Sequence, residues 1–259
     1  TDAEMVWSYD GNTDLTVTID GSRVATIGVP DANWNGTETI TFTATDPDGG
    51  AAGDAASFTV TPVNDDPVVS DIPGETIDEG ATFALISLDD FVSDAEDADA
   101  DIVWTYSGNT DLTVTIDGNR VATIGVPDED WNGTETITFT ATDLDGASAS
   151  DDAAFTVNPV NDAPVVLTQI PDTLGAAEEA FVFQFDTLTF GDVDEGDSLK
   201  YAAGLISGDL PAWLSFNAAT RTFSGTPASE DRGFYNVVVT AFDRDMEFTS
   251  DTFEIHITG

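Results

Sequence analysis

Apolar and polar residues alternate along short stretches of this chain. Leu112, Val114 and Ile116 share one face of an extended run, as do Ile137, Phe139 and Ala141 in a later one. A period of two sends successive side chains to opposite sides of the backbone, so each run predicts a strand with one buried face. Within residues 67–164 the pattern predicts seven strands: an extended run to Ile77, then 82–88, 102–106, 112–116, 121–124, 134–142 and 153–157. Asp117-Gly118, between two of them, is a hairpin turn signal. Residues 165–259 give further strands at 181–185, 200–203, 214–217, 222–226, 235–242 and 252–257. Val237, Val239 and Ala241 alternate there, as do Phe253, Ile255 and Ile257. Helix formers are scarce, and Thr, Val, Asp and Gly are plentiful. The expected fold class is all-β.

The pattern also repeats. Residues 6–69 align without a gap to 103–166, with 51 of 64 positions identical. A period of 97 residues is longer than any solenoid unit and matches one β-sandwich. Three domains in a linear array follow: 1–66, 67–164 and 165–259. The first begins at the equivalent of Ala98 and therefore carries no counterparts of residues 67–97, meaning its first two strands. It reads as a truncated repeat, with exposed edges and core.

Between repeats lie Pro62-Val63-Asn64-Asp65-Asp66-Pro67-Val68 and its near copy Pro159-Val160-Asn161-Asp162-Ala163-Pro164-Val165. Two prolines hold each stretch extended and block helix. Between them sit an amide and a carboxylate, both hard oxygen donors. These are expected to be stiff joints with calcium ligands built in.

Charge narrows the function. The 259 residues contain 50 Asp and Glu against 6 Lys and Arg, a net charge of −44. Such a surface repels nucleic acid and anionic membranes, so neither is an expected partner. The acids cluster, which points to bound divalent cations rather than to solubility alone. There is no cysteine, which excludes disulfides, thiol catalysis and Cys-type zinc sites. No run of about 18 apolar residues suggests insertion in a membrane.

Three stretches of the last domain carry a family resemblance. They are residues 190–201 (FGDVDEGDSLKY), Leu210-Pro211-Ala212-Trp213-Leu214-Ser215-Phe216-Asn217 running on to Pro227, and Gly233-Phe234-Tyr235 leading to Asp243. Together they resemble the dystroglycan-type cadherin-like domain across nearly all of 165–259. The two repeats resemble the cadherin-like and Ig-like modules that occur in tandem in large bacterial surface adhesins. Their Trp-Asn-Gly-Thr-Glu-Thr-Ile-Thr-Phe-Thr-Ala-Thr-Asp and Val-Asn-Asp-x-Pro-Val stretches carry that match. The resemblance implies Ig-like/cadherin-like sandwiches in an extracellular, calcium-stabilised, multi-domain surface protein.

Cadherin-like joints draw calcium ligands from the base of one domain, the linker and the top of the next, and each place has a candidate here. Calcium takes six to eight oxygens, preferably several carboxylates. At the first joint the candidates are Asp46 and Asp48, then Asn64 and Asp65 of the linker, then Glu79, Asp94, Asp97 and Asp99 of the following domain. At the second they are Asp143 and Asp145, then Asn161 and Asp162, then Glu179, Asp192, Asp194, Asp197 and Asp243. An Asp-x-Asp spacing lets two carboxylates of one loop converge on one ion. The competing reading is that Asp-Gly and Asp-Pro pairs are turn residues only.

The remaining chemistry is sparse. The five tryptophans read as core residues, because Trp7 and Trp34 recur in identical contexts as Trp104 and Trp131. His256, the single histidine, lies between Ile255 and Ile257 and points away from the core side of its strand. With one histidine, one lysine and no cysteine, nucleophile–base triads and Schiff-base chemistry have little to draw on; paired carboxylates could hydrolyse glycosides, but no aromatic-lined cleft can be argued from these strands, and no enzyme is expected. The reading is a calcium-stabilised extender of a bacterial surface adhesin, joined to neighbouring domains of a longer chain. Its competitor is a ligand-binding module in which the last domain recognises a carbohydrate or a cell-surface protein. Self-association between like domains is a third possibility.

Overall fold

The computed structural model describes residues 2–194 and 196–259; Glu195, inside the acidic stretch quoted above, lies outside the described residues. Strands dominate, and among the described residues the helical segments are four short 3-10 turns. The chain divides into two compact units. One comprises the chain up to Thr76 with Thr82–Pro127 and Thr134–Thr156, and the other Ile77–Ala81, Asp128–Gly133 and Val157–Gly259.

The first repeat forms a three-stranded antiparallel sheet in the order Val6–Asp10, Gly36–Thr45, Ala51–Val60, faced by the hairpin Thr16–Ile19 with Ala25–Gly28. Its core is small: Leu15, Val17 and Ile40, with Ile27, Trp34, Phe42 and Phe58 packed alongside.

The second repeat reproduces these strands and extends both sheets. Glu75–Asp78 joins the edge of Ser148–Asn158, beyond Gly133–Thr142 and Val103–Ser107. Ile86–Ser87 joins the edge of Val121–Gly125, beyond Thr113–Ile116. The alternation along Gly133–Thr142 lands as expected, with Ile137, Phe139 and Ala141 fully buried. The predicted strand at 82–88 is shorter in the structure: Ile86–Ser87 pairs and a 3-10 turn, Leu88–Phe91, follows. The hairpin at Asp117-Gly118 is present, but the left-handed residue that closes it is Arg120, with φ 60°. The Asp117 carboxylate holds that turn by accepting from the Asn119 and Val121 N–H groups, a short local ring that favours Asp in turns.

The last domain is a second full sandwich. One sheet runs Thr173–Ala176, Phe248–Thr258, Gly233–Phe242, Lys200–Leu205, with the first pair parallel. The other runs Phe181–Gln184, Thr222–Gly225, Leu214–Asn217. Thr173–Ala176 had no alternation to betray it. Its Gly175 sits where a Cβ would meet Ile257 Cδ1 at 2.7 Å and Phe181 Cδ2 at 2.9 Å, so the close approach of two layers requires glycine. Phe223, Phe253, Ile255 and Val237 fill the core.

Trp104 is 7% exposed and Trp213 packs edge-on against Phe181 and Tyr235, as core residues. Trp7 departs from that expectation at 42% exposure, because nothing covers it on the first repeat. The His256 ring stacks on exposed Phe234, with centroids 4.0 Å apart.

Candidate metal centre

Long strands decide which carboxylates meet. Gly133–Thr142 and Ser148–Asn158 have ten and eleven residues, so each carries the chain roughly 33 Å from one end of the sandwich to the other. The turn between them, with Asp143 and Asp145, therefore belongs to the end where the chain enters the domain. The Asn158 end, with Glu79, belongs to the end where it leaves.

At the entry end of the second repeat, Asp143 is 4% exposed. One of its oxygens accepts from the Gly146 and Ala147 N–H groups at 2.6 and 2.8 Å, and the other from the Asn64 amide at 2.8 Å. The Asn64 donor and these backbone N–H groups outweigh the cost of burial and hold the Asp143 carboxyl below its ordinary value. Asp65 donates its N–H to Glu96. Asp94 caps its own loop, accepting from the Glu96 and Asp97 N–H groups, and Asp97 accepts from Leu144 N–H. Two oxygens here, Asn64 Oδ1 and Asp94 Oδ2, are buried without a partner.

The last domain repeats this arrangement. Asn161 donates to Asp243 at 2.9 Å, and Asp162 N–H donates to Asp194. Burial opposes ionisation of Asp243, but the Asn161 amide and the Glu247 N–H prevail and its pKa is lowered. Here the carboxylates converge. Oxygens of Glu79, Asp162 and Asp194 lie within 4.8 Å of one another, as do those of Asp192, Asp194 and Asp197, so Asp194 belongs to both groups. Asp192 Oδ2 and Asp197 Oδ2 are buried with no hydrogen-bond partner. Burial, together with the charges of Asp130, Asp194 and Glu79, raises the Asp162 pKa. Burial also raises that of Asp192, with Asp194, Asp197 and Asp243 adding repulsion. An open cavity of about 670 Å³ beside them is lined by Asn132, Asn161, Asp194 and Asp197 among others.

Several expected positions need correction. Glu79 was assigned to the first joint, but it accepts from Val160 N–H of the second linker at 2.7 Å and from Asn132 at 2.6 Å. Asp143 was assigned to the second, but it bonds Asn64 of the first. Both errors come from ignoring the length of the strands between. Asp46 and Asp48 lie in the equivalent turn of the first repeat, where Asp46 accepts only from its own loop, from Asp48 and Gly50 N–H. Glu179 sits with Ala177, which donates to Thr258 O, and Glu178, which donates to Pro227 O. That is the exit end of the last domain, an eleven-residue strand away from Asp243. Asp99 and Asp145 are exposed and outside the clusters.

Sequence reasoning missed Asp130 and Asn132. A signal existed: just before Trp131, Glu129 and Asp130 replace Ala32 and Asn33 of the first repeat. Glu96, which accepts from Asp65 N–H, was not among the candidates either.

The donor set consists of carboxylate and amide oxygens, and at the second linker burial and neighbouring like charges raise the pKa of Asp162 and Asp192. A hard cation with several oxygen ligands fits this chemistry; buried oxygens left unpaired are costly and call for a partner.

The paired sheets and their strand orders define Ig-like and cadherin-like β-sandwiches in tandem. Residues 64–158 match the family described as "Bacterial Ig domain" and residues 163–258 that described as "Putative Ig domain". Protocadherin gammaB7 EC3-6, solved as a cis-dimer, is similar at 19% identity and a TM-score of 0.55, over 98% of this chain and 65% of that one. Mouse cadherin-23 EC22-24 is similar at 16% identity and a TM-score of 0.52, over 98% and 86%. At such identities the likeness is one of fold. Axial budding pattern protein 2 of Saccharomyces cerevisiae is 33% identical over 89 residues, 31% of this chain and 10% of that protein. The chain thus spans about a tenth of the length of that curated relative. Among the described residues no helix is long and apolar enough to cross a membrane.

Proposed function

We propose that this chain is a calcium-stabilised extender segment of an extracellular, bacterial cell-surface adhesin, with modules at 1–66, 67–164 and 165–259, the last of dystroglycan type. The observation that carries this reading is the convergence of Glu79, Asp162, Asp192, Asp194 and Asp197 around partnerless buried oxygens at a linker. Glu79, Asp162 and Asp194 would hold one cation, and Asp192, Asp194 and Asp197 another. The bound ion supplies positive charge that offsets the mutual repulsion of these groups. The chain's own contribution is to order them: Asn161 fixes Asp243, Asp192 closes its loop by accepting from Asp194 N–H, and Val160 N–H orients Glu79. Tying linker and loops together stiffens the joint, and neighbouring domains of a longer chain then stand off from the cell.

Calcium that binds the folded chain alone stabilises it by RT ln(1 + [L]/Kd), about 1.4 kcal/mol per site at tenfold excess over Kd. Calorimetric calcium titration with thermal melting tests the proposal. Calcium is expected to raise the melting temperature, and Asp194→Asn to weaken both sites while Asp145→Asn leaves them intact. Identical melting in calcium and in chelator would remove the reading, and scattering under the same two conditions reports whether the ion stiffens the particle.

A second reading has its own observation. A groove of about 680 Å³ on the last domain is lined by Gln169, Gln184, Asp186, Thr187 and Arg221, and Arg221 Nε is buried without a partner. This favours a ligand-binding module for carbohydrate or protein. Soluble-glycan binding lost in Arg221→Ala would support it; absence of binding across the screen would count against it.

A further inference from the structure

The second repeat and the last domain build the same corner from different residues. In each, a hairpin ends on an arginine in the left-handed region, Arg120 at φ 60° and Arg221 at φ 54°. The strand that follows pairs with an earlier segment of its own domain. Ala122 pairs with Ile86 and Val121 with Ser87; Phe223 pairs with Phe183 and Thr222 with Gln184. The next N–H of that segment donates to the arginine's carbonyl, Leu88 to Arg120 and Phe185 to Arg221. Leu88 and Phe185 are both buried. One residue further on, each domain has an aspartate, Asp89 and Asp186. The register thus makes Asp186 and Arg221 the counterparts of Asp89 and Arg120.

The two corners end differently. Arg120 donates through Nε and Nη2 to both oxygens of Asp89, at 2.6 and 2.7 Å. Asp186 turns to its own loop, accepting from the Leu188 N–H at 2.9 Å and the Thr187 hydroxyl at 3.2 Å. These donors, ahead of the charge of Arg221, hold the Asp186 carboxyl below its ordinary value. Among the described residues no ion pair joins Asp186 to Arg221, and Arg221 Nε is buried without a partner. The latch that is closed in the second repeat stands open in the last domain. Both of its members line the open groove of about 680 Å³.

A buried guanidinium nitrogen with no acceptor is costly. The chain has 50 acidic residues against six basic ones, yet its nearest counterpart carboxylate is engaged elsewhere. The twin corner shows which group satisfies this arginine: a carboxylate taken by two parallel N–H groups. The rest of the lining is hydroxyl and amide, from Thr168, Thr187, Gln169 and Gln184, beside half-buried Phe183. Such groups match the hydroxyls of a sugar ring. The field of a chain at −44 opposes any polyanion, which favours one carboxylate on an otherwise neutral body over an acidic peptide run.

We propose that this groove binds an acidic sugar, a ring carrying one carboxylate, with that carboxylate on Arg221 as Asp89 sits on Arg120. The proposal rests on the ligand-binding reading of the last domain and adds to it the chemistry of the ligand. Arg221 takes the carboxylate through its fork, and the amides and hydroxyls take the ring hydroxyls. Asp186 is a like charge beside the bound carboxylate and limits its affinity.

The test titrates the full chain, in chelator, with methyl glucuronide, N-acetylneuraminate and the neutral methyl glucoside, followed by calorimetry and ligand-observed NMR. Saturable one-to-one binding of at least one acidic sugar is expected, roughly tenfold or more tighter than that of the glucoside, the scale of a charge-assisted pair. Arg221→Ala should abolish that advantage, and Arg221→Lys, which keeps the charge without the fork, should restore only part of it. Asp186→Asn keeps an acceptor for its loop and should tighten binding of the acidic sugar severalfold. Arg232→Ala, an exposed arginine outside the groove, should change nothing. Equal binding of the glucoside, lost in Arg221→Ala, would overturn the acidic sugar and leave the ligand-binding reading standing. So would preferential binding of an aspartate-containing peptide with the same dependence on Arg221. A loss that follows Asp194→Asn instead of Arg221→Ala would assign the binding to the linker acids and overturn the proposal. Silence of every probe would overturn both the proposal and the reading beneath it.

Discussion

Two glutamates show how much a single residue does here. Glu38 accepts from the Thr13 hydroxyl and from the N–H groups of Thr13, Asp14 and Leu15. Glu135 does the same for Thr110, Asp111 and Leu112 in the second repeat. Each clamps the loop ahead of a buried leucine to the central strand. Led by the Thr13 hydroxyl, these donors pull the Glu38 pKa from 4.5 to about 2. A carboxyl that is more acidic in the folded chain contributes its full stability above the unfolded value and loses it as pH falls. The contribution of Glu38 should thus be complete above about pH 4.5 and vanish as pH drops through about 2. Melting temperature followed between those limits should fall for the native chain and change less for Glu38→Gln with Glu135→Gln. At neutral pH, Glu135→Ala should cost about 2 kcal/mol by chemical denaturation, since it strands several donors. Alternation puts both residues on the inward face, in line with Ile40 and Ile137, but it names no partner, and the groups they hold lie 23 to 25 residues away. Such a non-local clamp has no signature in local sequence.

At the scale of elements, duplication makes the packing measurable. Phe139 is fully buried and Phe42, the same residue in the same strand, is half-buried. Phe139→Ala should cost about 3–5 kcal/mol, the usual range for emptying a core aromatic site. Phe42→Ala should cost less than half as much, because its ring already borders an open cleft. Equal losses in urea denaturation would mean that the cleft is closed in solution. Strand positions were legible wherever one face is buried, as along Gly133–Thr142. They were not legible for Thr173–Ala176, whose Gly175 is selected by contact with Ile257 and Phe181. The acid-rich loops were legible as ligand candidates, but their partners were not. Glu79 and Asp143 exchanged joints once the strand lengths were in place, because adjacency in sequence at a turn becomes separation by a whole sandwich.

Over the whole molecule, charge sets the terms. Fifty acidic residues against six basic ones repel one another, and two of those six, Arg120 and Arg244, pair with nearby carboxylates. Self-repulsion of this size works against a compact state. Monovalent salt screens it generally, whereas a divalent ion bound at the linker acts where the charges are densest. Adding sodium chloride to about 0.15 M should therefore raise the melting temperature modestly, and millimolar calcium should raise it further at that same ionic strength. If calcium and an ionic-strength-matched sodium salt give equal shifts, screening alone accounts for the effect.

The division of these acidic groups between the two ends of a module has a consequence for heredity. The second repeat carries Asp94, Asp97 and Asp143 at its entry end, met by Asn64 of the preceding linker, and Glu79 and Asp130 at its exit end. Copying that 97-residue unit in tandem sets the exit set of one copy against the entry set of the next. Each new seam would then carry both sets of oxygen donors. Unequal recombination between repeats this similar changes a coding sequence by whole modules, so a duplicated seam would keep the same donors on both sides.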